Sequence, residues 1–472
     1  MTALELSRLQ FAVVTVYHYL FVPLSISLAT LTAVLQTRHH RTGDVRWQRL
    51  TLVAGKLLMI TFAVGIVTGL VQEFQFGLSW SAFARFYGDV FGPTLAVEGM
   101  LAFFLEATFL GLWWFGAGRL RSALHLATIW VVAVGTLISA YVILAANAFM
   151  QNPVAYTLDP ATGRARLGDF TDLLTNPVVL AAFPHTVAGA FAGGGALLLA
   201  IGAFRAWRAP GGDADGRWRL LARTGAWTTL VAGTAVALTG DALGKVITSV
   251  QPMKMAAAEA LYATQSGAPF SLFAVGAPGQ KEPFFSLDVP WLLSFLVKGD
   301  PTATVQGIDD LQAQYVAQFG PGEYVPVVPV AYWSFRLMIG FGVLAAAVGA
   351  WVLWRTRKGR ALAPAHVVDR WLLRGLWTVP VLPAIAATAG WLFTESARQP
   401  WLVFGLFRTA DGVSPGLTAG ELTASLAGFA LVYGVLAVVW VRLVLRVART
   451  AGDDPAPADD ADEAERVLVP SY

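Results

Sequence analysis

The feature that most constrains this chain is a series of nine apolar blocks, each of twenty residues or more, separated by polar stretches. Because an α-helix rises about 1.5 Å per residue, roughly twenty apolar residues cross a hydrocarbon core about 30 Å thick. The pattern therefore predicts an all-α integral membrane protein with about nine transmembrane helices. The blocks run approximately over Phe11–Leu35, Leu50–Val71, Phe91–Phe115, Leu124–Phe149, Val178–Phe204, Leu220–Val246, Val330–Trp354, Trp371–Phe393 and Leu422–Leu445.

Composition agrees with this prediction and excludes several kinds of site. Only 13% of the residues are charged, about half the fraction that is usual in soluble domains. The chain has no cysteine, so disulfides, thiolate metal sites and haem attached through cysteine are excluded. A net charge of +3 does not support nucleic-acid binding, because membrane topology accounts for the basic residues.

The basic residues concentrate in alternate loops, which the positive-inside rule assigns to the cytoplasm. The other short loops contain fewer, so we expect the N-terminus outside and the C-terminus inside. The acidic tail, Asp453–Glu465, is predicted to be disordered in the cytoplasm. The basic residues of the cytoplasmic loops are Arg38, Arg41, Arg46, Arg49, Arg119, Arg121, Arg205, Arg208, Arg217, Arg219, Arg355, Arg357, Lys358 and Arg360.

One connection, Ile247–Pro329, is about eighty residues long and is predicted to lie outside, either as a functional segment or as a solvated loop. We expect a helix over Met253–Thr264 and an interfacial apolar run over Trp291–Val297. The predicted organisation is six transmembrane helices in 1–246, an extracytoplasmic loop in 247–329, three transmembrane helices in 330–448 and a cytoplasmic tail in 449–472.

Ionisable side chains inside the apolar blocks are few, and such groups in a membrane are usually functional. Four of the six histidines lie in or beside the cytoplasmic loops: His39, His40, His125 and His366. The other two, His18 and His185, lie about seven residues into their blocks, hence roughly 10 Å deep from the outer side.

Three further metal-ligating side chains recur near that depth. Glu98 lies about seven residues into the third block, Met338 about eight into the seventh, and Glu395 just past the outer end of the eighth. Any one of them alone is more readily explained by packing. Together with the two histidines they predict haem sites in the outer part of the bundle, held by non-covalent axial ligation.

A second buried carboxylate, Glu106, follows Glu98 by eight residues. On an α-helix this spacing gives about 80° of rotation and a position some 12 Å deeper. Glu106 is therefore either a proton-relay group or a carboxylate paired for structural reasons. Ser139 and Asn147, in the fourth block, would extend a polar line from it.

Short motifs in a fixed order give the chain a family resemblance. They extend from residue 8 to residue 401, nearly the whole chain, and resemble those of the cytochrome bd oxidase subunit I family. The motifs are Arg8-Leu9-Gln10-Phe11, Tyr17-His18, Gln72-Glu73-Phe74-Gln75-Phe76-Gly77, Glu98-Gly99, Phe103-Phe104-Leu105-Glu106, Asn147-Ala148-Phe149-Met150-Gln151-Asn152-Pro153, Pro184-His185-Thr186, Gln251-Pro252-Met253-Lys254 with Glu259, Arg336-Leu337-Met338 and Arg398-Gln399-Pro400-Trp401.

This resemblance implies which residues hold haem. His185 and Met338 are implied to be the two axial ligands of a low-spin haem b. His18 and Glu98 are implied to ligate one high-spin haem, and Glu395 the other. One of these two is a haem b and the other a haem d, or a haem b in its place, and the order of the two stays open.

The resemblance also implies an activity and its surroundings. Lys254 and Glu259 are implied in quinol oxidation, and Arg398 as a further residue of the site. Glu106, Ser139 and Asn147 are implied to carry protons toward the oxygen-reducing haem. Such a protein oxidises quinol at the outer side of the bacterial inner membrane, reduces dioxygen to water and generates a proton gradient without pumping. Its partners are a second membrane subunit (subunit II), small single-helix subunits and the lipid bilayer.

Two features depart from the family pattern, and two other functions are alternatives to the oxidase. Ala397 stands where the family usually has glycine. The resemblance makes the segment 247–329 a quinol-binding loop, and this loop is of the shorter type. A secondary transporter would also use intramembrane Glu and His, although the chain lacks the paired broken helices of such folds. A dihaem electron carrier would need neither Glu98 nor Glu395 as a ligand.

Overall fold

The computed structural model describes residues 1–208, 213, 215–276, 283–360 and 374–450. Within these ranges nine helical spans are long and apolar enough to cross a membrane, which confirms the predicted all-α membrane fold. The predictions for His366, for the start of the eighth block at Trp371 and for the acidic tail lie outside the described residues. The helices are α1 (Ala3–Tyr19), α2 (Val22–Thr42), α3 (Val45–Leu78), α4 (Ser81–Glu98), α5 (Ala107–Phe115), α6 (Ser122–Gln151), α7 (Phe170–Leu174), α8 (Pro177–Arg208), α9 (Arg217–Val250), α10 (Pro252–Ala258), α11 (Leu292–Lys298), α12 (Ile308–Phe319), α13 (Val328–Arg355), α14 (Val381–Ser396) and α15 (Ala419–Thr450).

Strands in the described ranges form only small antiparallel pairs within the connections between long helices. Helix packing, rather than a sheet, therefore positions the residues of the membrane region. The pairs are β1 (Tyr156–Leu158) with β2 (Ala165–Leu167), β3 (Gln265–Ser266) with β6 (Thr304–Val305), β4 (Phe270–Val275) with β5 (Phe285–Val289), and β7 (Trp401–Val403) with β8 (Phe407–Arg408).

The first predicted block is two helices rather than one. α1 begins upstream of the block, where Thr2 and Glu5 form a reciprocal capping box that satisfies the first backbone N–H groups. α2 carries Pro23 in its first turn, and a proline ring cannot continue a preceding helix. His18 therefore lies in the last turn of α1 beside this break, and not seven residues into a continuous helix as predicted.

The third predicted block also differs from a single α-helix. α4 begins at Ser81 rather than Phe91, and the backbone between α4 and α5 is a π-helix over Gly99–Glu106. Because π-helical hydrogen bonds join residues five apart, the α-helical rotation assumed between Glu98 and Glu106 is wrong. Single π segments inside α-helices are frequent at functional sites, and this one lies directly between the two carboxylates.

α8 is the central helix of the bundle. It packs along α9 and against α2, while α2 also packs on α3 and α6. α13 packs against α9 and α14, and α15 lies against α1 and α3. Close approach of α8 and α9 requires glycine, since a Cβ at Gly202 would lie 2.4 Å from the Ala222 nitrogen and one at Gly225 2.3 Å from the Leu199 nitrogen. Small residues commonly allow such contact between membrane helices.

The described residues between α9 and α13 form a folded cap, which we call the loop cap (251–276 and 283–327). α10 is buried from Met253 onward and ends at Ala258, short of the predicted Thr264. Ala260 then adopts a left-handed φ of 49°, a conformation of the kind that terminates helices. The predicted apolar run is helical as α11. The core of the loop cap continues into the end of α14 and the segment after it through Met253, Leu293, Leu311, Tyr315, Phe393 and Trp401.

Candidate functional site

His18 is oriented by α3. Its Nδ1 lies 2.9 Å from the Thr68 hydroxyl, which is also 3.0 Å from the carbonyl oxygens of Val64 and Gly65. A hydroxyl has one hydrogen to donate, and the carbonyls take it, so Thr68 accepts a hydrogen bond from Nδ1–H. We assign His18 this tautomer, which leaves the lone pair on Nε2 for a metal.

His185, on α8, has a similar environment on α9. Its Nδ1 lies 3.4 Å from the hydroxyl of Thr239, and that hydroxyl donates to the Ala235 carbonyl oxygen at 2.7 Å. The contact is longer than that of His18, but its chemistry is the same. Each histidine thus meets a threonine whose proton is already given to its own helix.

The residue after each threonine is glycine, and we call the two dipeptides Thr-Gly seats (Thr68-Gly69 and Thr239-Gly240). A Cβ at Gly69 would lie 3.1 Å from His18 Cε1, and one at Gly240 would lie 3.1 Å from His185 Cε1. Since such contacts are tighter than ordinary van der Waals distances, an alanine would press on either ring. The seats therefore combine a polar contact with space that only glycine leaves.

Met338, on α13, also faces a glycine. A Cβ at Gly390, on α14, would lie 2.8 Å from the Met338 sulfur, so the thioether occupies space that a side chain on α14 would remove. Within the described part of the chain, no three His, Cys, Asp or Glu side chains gather as a bare metal ion would require. Haem iron needs only one or two protein ligands, so separate single donors in shaped spaces fit haem.

The carboxylates beside the π-helix have different environments. Glu98 accepts a hydrogen bond from Ser139 at 3.2 Å. Glu106 is 4% exposed and faces Gly135 of α6, where a Cβ would lie 3.2 Å from its Cγ. Its Oε1 has no hydrogen-bond partner among the described residues. Ser139 is thus bonded to Glu98, and a polar line from Glu106 through Ser139 stays a prediction.

Glu395 lies in the last turn of α14 with both oxygens engaged. Asn147 donates to Oε1 at 3.0 Å, and Arg398 donates to Oε2 from Nε at 3.0 Å and also from Nη2. Arg398 is buried and donates as well to the carbonyl oxygen of Leu402. Asn147, predicted to extend the line from Glu106, therefore holds the other proposed carboxylate ligand instead.

Lys254 is 1% exposed and faces the same carboxylate. Its ammonium donates to Gln151 Oε1 at 2.6 Å and to the Thr394 carbonyl oxygen at 3.0 Å, and Gln151 in turn donates to Asn147 Oδ1 at 2.8 Å. Burial lowers the pKa of Lys254 to about 7, while the neighbouring Glu395 opposes that shift. The structure thus brings Lys254 to the Glu395 side of the loop cap.

Glu259 has a separate partner, Arg336, which belongs to the Arg336-Leu337-Met338 motif but had no predicted role. Arg336 Nη2 donates to Glu259 Oε2 at 2.6 Å, and the two side chains are 7% and 1% exposed. Burial raises the pKa of Glu259 to about 7, against the lowering effect of Arg336. Arginine inside an apolar block, two residues from Met338, was the sequence feature that could have identified this residue.

Several polar atoms of this ion pair are buried without a partner in the described part of the chain. They are Glu259 Oε1 and the Nε and Nη1 atoms of Arg336. The guanidinium also lies over the rings of Tyr332 at 4.6 Å and Phe270 at 4.7 Å, where aromatic faces stabilise a cation. Buried polar groups normally have partners, so this pair has the properties of a site for a polar, partly aromatic ligand.

Comparison with known proteins identifies close relatives over almost the whole chain. The family model described as cytochrome bd terminal oxidase subunit I matches residues 6–452. The cytochrome bd ubiquinol oxidase subunit 1 of Bacillus subtilis is 40% identical, with 94% of this chain and 93% of that protein covered. The cytochrome bd-II ubiquinol oxidase subunit 1 of Escherichia coli is 34% identical, with 94% and 96% covered. The bd oxidase structure from Geobacillus thermodenitrificans matches with a TM-score of 0.84 and 28% identity, over 96% of this chain and 99% of that one.

Proposed function

The chain belongs to the cytochrome bd terminal oxidase subunit I family, and from that premise we propose that it is the haem-bearing subunit of a quinol:oxygen oxidoreductase. It is a multi-pass membrane protein that works with haem, with quinol and with a second membrane subunit. In finer detail, we propose the bacterial inner membrane as its location, with the N-terminus and the loop cap outside, and small single-helix subunits as further partners.

The two Thr-Gly seats are the observation that carries the ligand assignment. We propose that His185 and Met338 would together hold a low-spin haem b. His18 with Glu98 would hold one high-spin haem and Glu395 the other, one being haem b and the other haem d or a second high-spin haem b. Bound haem supplies reversible electron transfer and, where an axial position is open, oxygen binding. The protein contributes orientation, through the threonines, and space, through the glycines.

On the quinol side, we propose that Glu259 accepts the proton that a quinol hydroxyl loses as its electron leaves. The unpaired Oε1 of Glu259 is the acceptor atom, since Oε2 is already bonded to Arg336. A base with a pKa near the working pH is the most effective proton acceptor, and burial brings the pKa of Glu259 to about 7. Lys254 would orient the headgroup from the opposite side of the loop cap.

The protons released by quinol and the protons consumed in water formation would use opposite sides of the membrane. Protons from quinol leave at the loop cap, outside. Those consumed in water formation would come from inside, with Glu106 as a relay and Ser139, which bonds to Glu98, as a further polar group on the route. A membrane potential therefore builds without a pump.

A reduced-minus-oxidised absorption spectrum of purified protein, together with oxygen consumption driven by quinol, tests this function. We expect low-spin and high-spin haem bands and quinol-dependent oxygen uptake, and a band far to the red decides whether haem d is present. A protein without a Soret band would be the transporter instead. Haem bands without oxygen uptake would indicate the dihaem carrier.

A further inference from the structure

A continuous line of hydrogen bonds joins the loop cap to Glu395. It runs from the Lys254 ammonium to Gln151 at 2.6 Å, from Gln151 to Asn147 at 2.8 Å, and from Asn147 to Glu395 at 3.0 Å. We call it the amide bridge (Lys254, Gln151, Asn147 and Glu395). Lys254 and Gln151 are both buried, so water does not readily replace these bonds.

The amide bridge has one direction. In each of the three bonds the N–H group lies on the side of Lys254 and the oxygen on the side of Glu395. An amide presents an acceptor at one end and donors at the other. An ammonium at one end and a carboxylate at the other therefore fix both amides in a single orientation, and a change at Gln151 alters what Asn147 presents to Glu395.

The opposite oxygen of Glu395 is held independently. Arg398 donates to Oε2, whereas Oε1 depends on Asn147. Removing Gln151 would thus leave the carboxylate in place while freeing the amide that orients one of its oxygens. The expected consequence is a rotated carboxylate rather than a lost one.

We propose that Gln151 is a positioning residue that transmits the placement of the loop-cap lysine to the Glu395 carboxylate. This inference rests on the proposed role of Glu395 as a haem ligand. It predicts that the quinol side and one high-spin haem are mechanically linked through two amides, in addition to any transfer of electrons between haems. Gln151 itself has no chemical step, because a carboxamide neither donates nor accepts a proton readily near neutral pH.

The test compares Gln151→Leu with Gln151→Glu in the intact oxidase. Leucine removes both bonds at similar volume. Glutamate keeps an acceptor for Lys254 but cannot donate to Asn147 Oδ1. The Asn147 amide should therefore rotate, and its oxygen would then face Glu395. Gln36→Leu is the matched control, because Gln36 is another buried amide with two partners, Trp113 and His125, remote from the bridge.

The readouts are haem content and the magnetic circular dichroism of the high-spin haems after chemical reduction, which bypasses quinol. We expect full haem content and a shifted high-spin band in both Gln151 variants, and the same shift in Lys254→Met. The Lys254→Met/Gln151→Leu double variant should show no larger shift, since the effects of members of one network are not additive. Quinol kcat/KM should fall roughly tenfold in Gln151→Leu, as loss of a hydrogen bond to a charged group implies. Gln36→Leu should leave the high-spin band unchanged.

Two results would overturn the inference, and they are distinguishable from failure of the proposed function. An unshifted high-spin band in Gln151→Leu, or a shift there without one in Lys254→Met, removes the amide bridge as a link while Glu395 remains a ligand. Glu395→Ala supplies the other arm and should lose one high-spin haem. If it keeps all haems, the ligand assignment and the inference built on it are both wrong.

Discussion

At the scale of single residues, the buried atoms without partners indicate where a ligand acts. An unpaired buried polar group costs about 1–3 kcal/mol, and Glu259 with Arg336 contributes three such atoms in one place. The same ion pair has little exposure, so the cost is not relieved by solvent. A quinol hydroxyl that bonds to Glu259 Oε1 would satisfy one of these atoms and place its ring near the aromatic side chains around Arg336.

Glu259→Gln should therefore remove one limb of the pH profile for quinol oxidation. The base acts in its deprotonated form, and burial raises its pKa to about 7 against the effect of Arg336, with Asp288 adding to the rise. In the unmodified protein, quinol kcat/KM should accordingly increase as pH rises through about 7. In Glu259→Gln it should be low, by roughly 10²- to 10⁴-fold, and should lack that increase.

Stopped-flow quinol oxidation across pH measures this, with haem content and electron input from an artificial donor as checks that the protein is intact. Glu323→Gln is the control, an exposed carboxylate elsewhere in the loop cap. A variant at Glu259 that keeps the rising limb would exclude this residue as the proton acceptor.

Met338→Leu should remove the low-spin haem signal and leave the high-spin haems bound, because it deletes one of the two proposed haem ligands without adding charge. Gly390→Ala should produce a weaker form of the same defect, since the added methyl would lie 2.8 Å from the Met338 sulfur and push it aside. Gly342→Ala adds the same methyl on α13 where nothing lies within 4 Å. Low-temperature absorption spectra distinguish the three, and an unchanged low-spin band in Met338→Leu would rule out this ligand.

At the scale of helices, the apolar blocks predicted the spans well and their interruptions poorly. Block length depends on local composition, which is why α6, α8 and α9 extend the predicted blocks by only a few residues. The break after α1 required weighing Pro23 against a long apolar run. The π-helix over Gly99–Glu106 carries no residue pattern that distinguishes it from an α-helix, because tertiary packing decides it.

Each Thr-Gly seat lies on one helix and contacts a histidine on another, so substitutions of its threonine test the packing between helices. Thr68→Val keeps the shape of the side chain and removes the acceptor of the His18 Nδ1–H bond, which frees the imidazole to change tautomer or rotate. We expect a changed high-spin spectrum in Thr68→Val, a changed low-spin spectrum in Thr239→Val, and protein yields near normal. The effect should be larger at Thr68, whose contact is the shorter one.

Thr51→Val is the matched control for these variants. Thr51 is a buried threonine of α3 whose hydroxyl donates only to the carbonyl oxygen of Trp47, away from both histidines. It should leave both haem spectra unchanged. Equal spectral changes in all three variants would mean that the threonines stabilise the helices in general and do not orient the histidines.

At the scale of the whole molecule, the sequence predicted candidate site residues but not their hydrogen-bond partners. Lys254 and Glu259 are neighbours in sequence, yet one faces Gln151 and the other Arg336, because α10 ends between them. Gln151 and Lys254 are separated by 103 positions in the chain, and no spacing rule connects positions that far apart. The family resemblance assigned candidate roles to residues along the chain, whereas their hydrogen bonds depend on how the loop cap packs on α14.

The last prediction concerns the sidedness of protons across the whole oxidase. Glu106 is buried at the end of the π-helix, and one of its oxygens has no partner among the described residues. A carboxylate in such a position serves either in proton transfer or in a structural contact. If it relays protons, Glu106→Gln should keep every haem, since an amide of equal size preserves packing against Gly135, but should slow oxygen reduction strongly. In proteoliposomes, proton release at the loop-cap side during the first reduction by quinol should stay normal, while proton uptake from the opposite side and the membrane potential should develop slowly. Ser139→Ala, which removes the partner of Glu98, should slow the same uptake to a smaller extent. Loss of a haem in Glu106→Gln would instead make this residue part of a haem site, and normal uptake would leave it with a structural role.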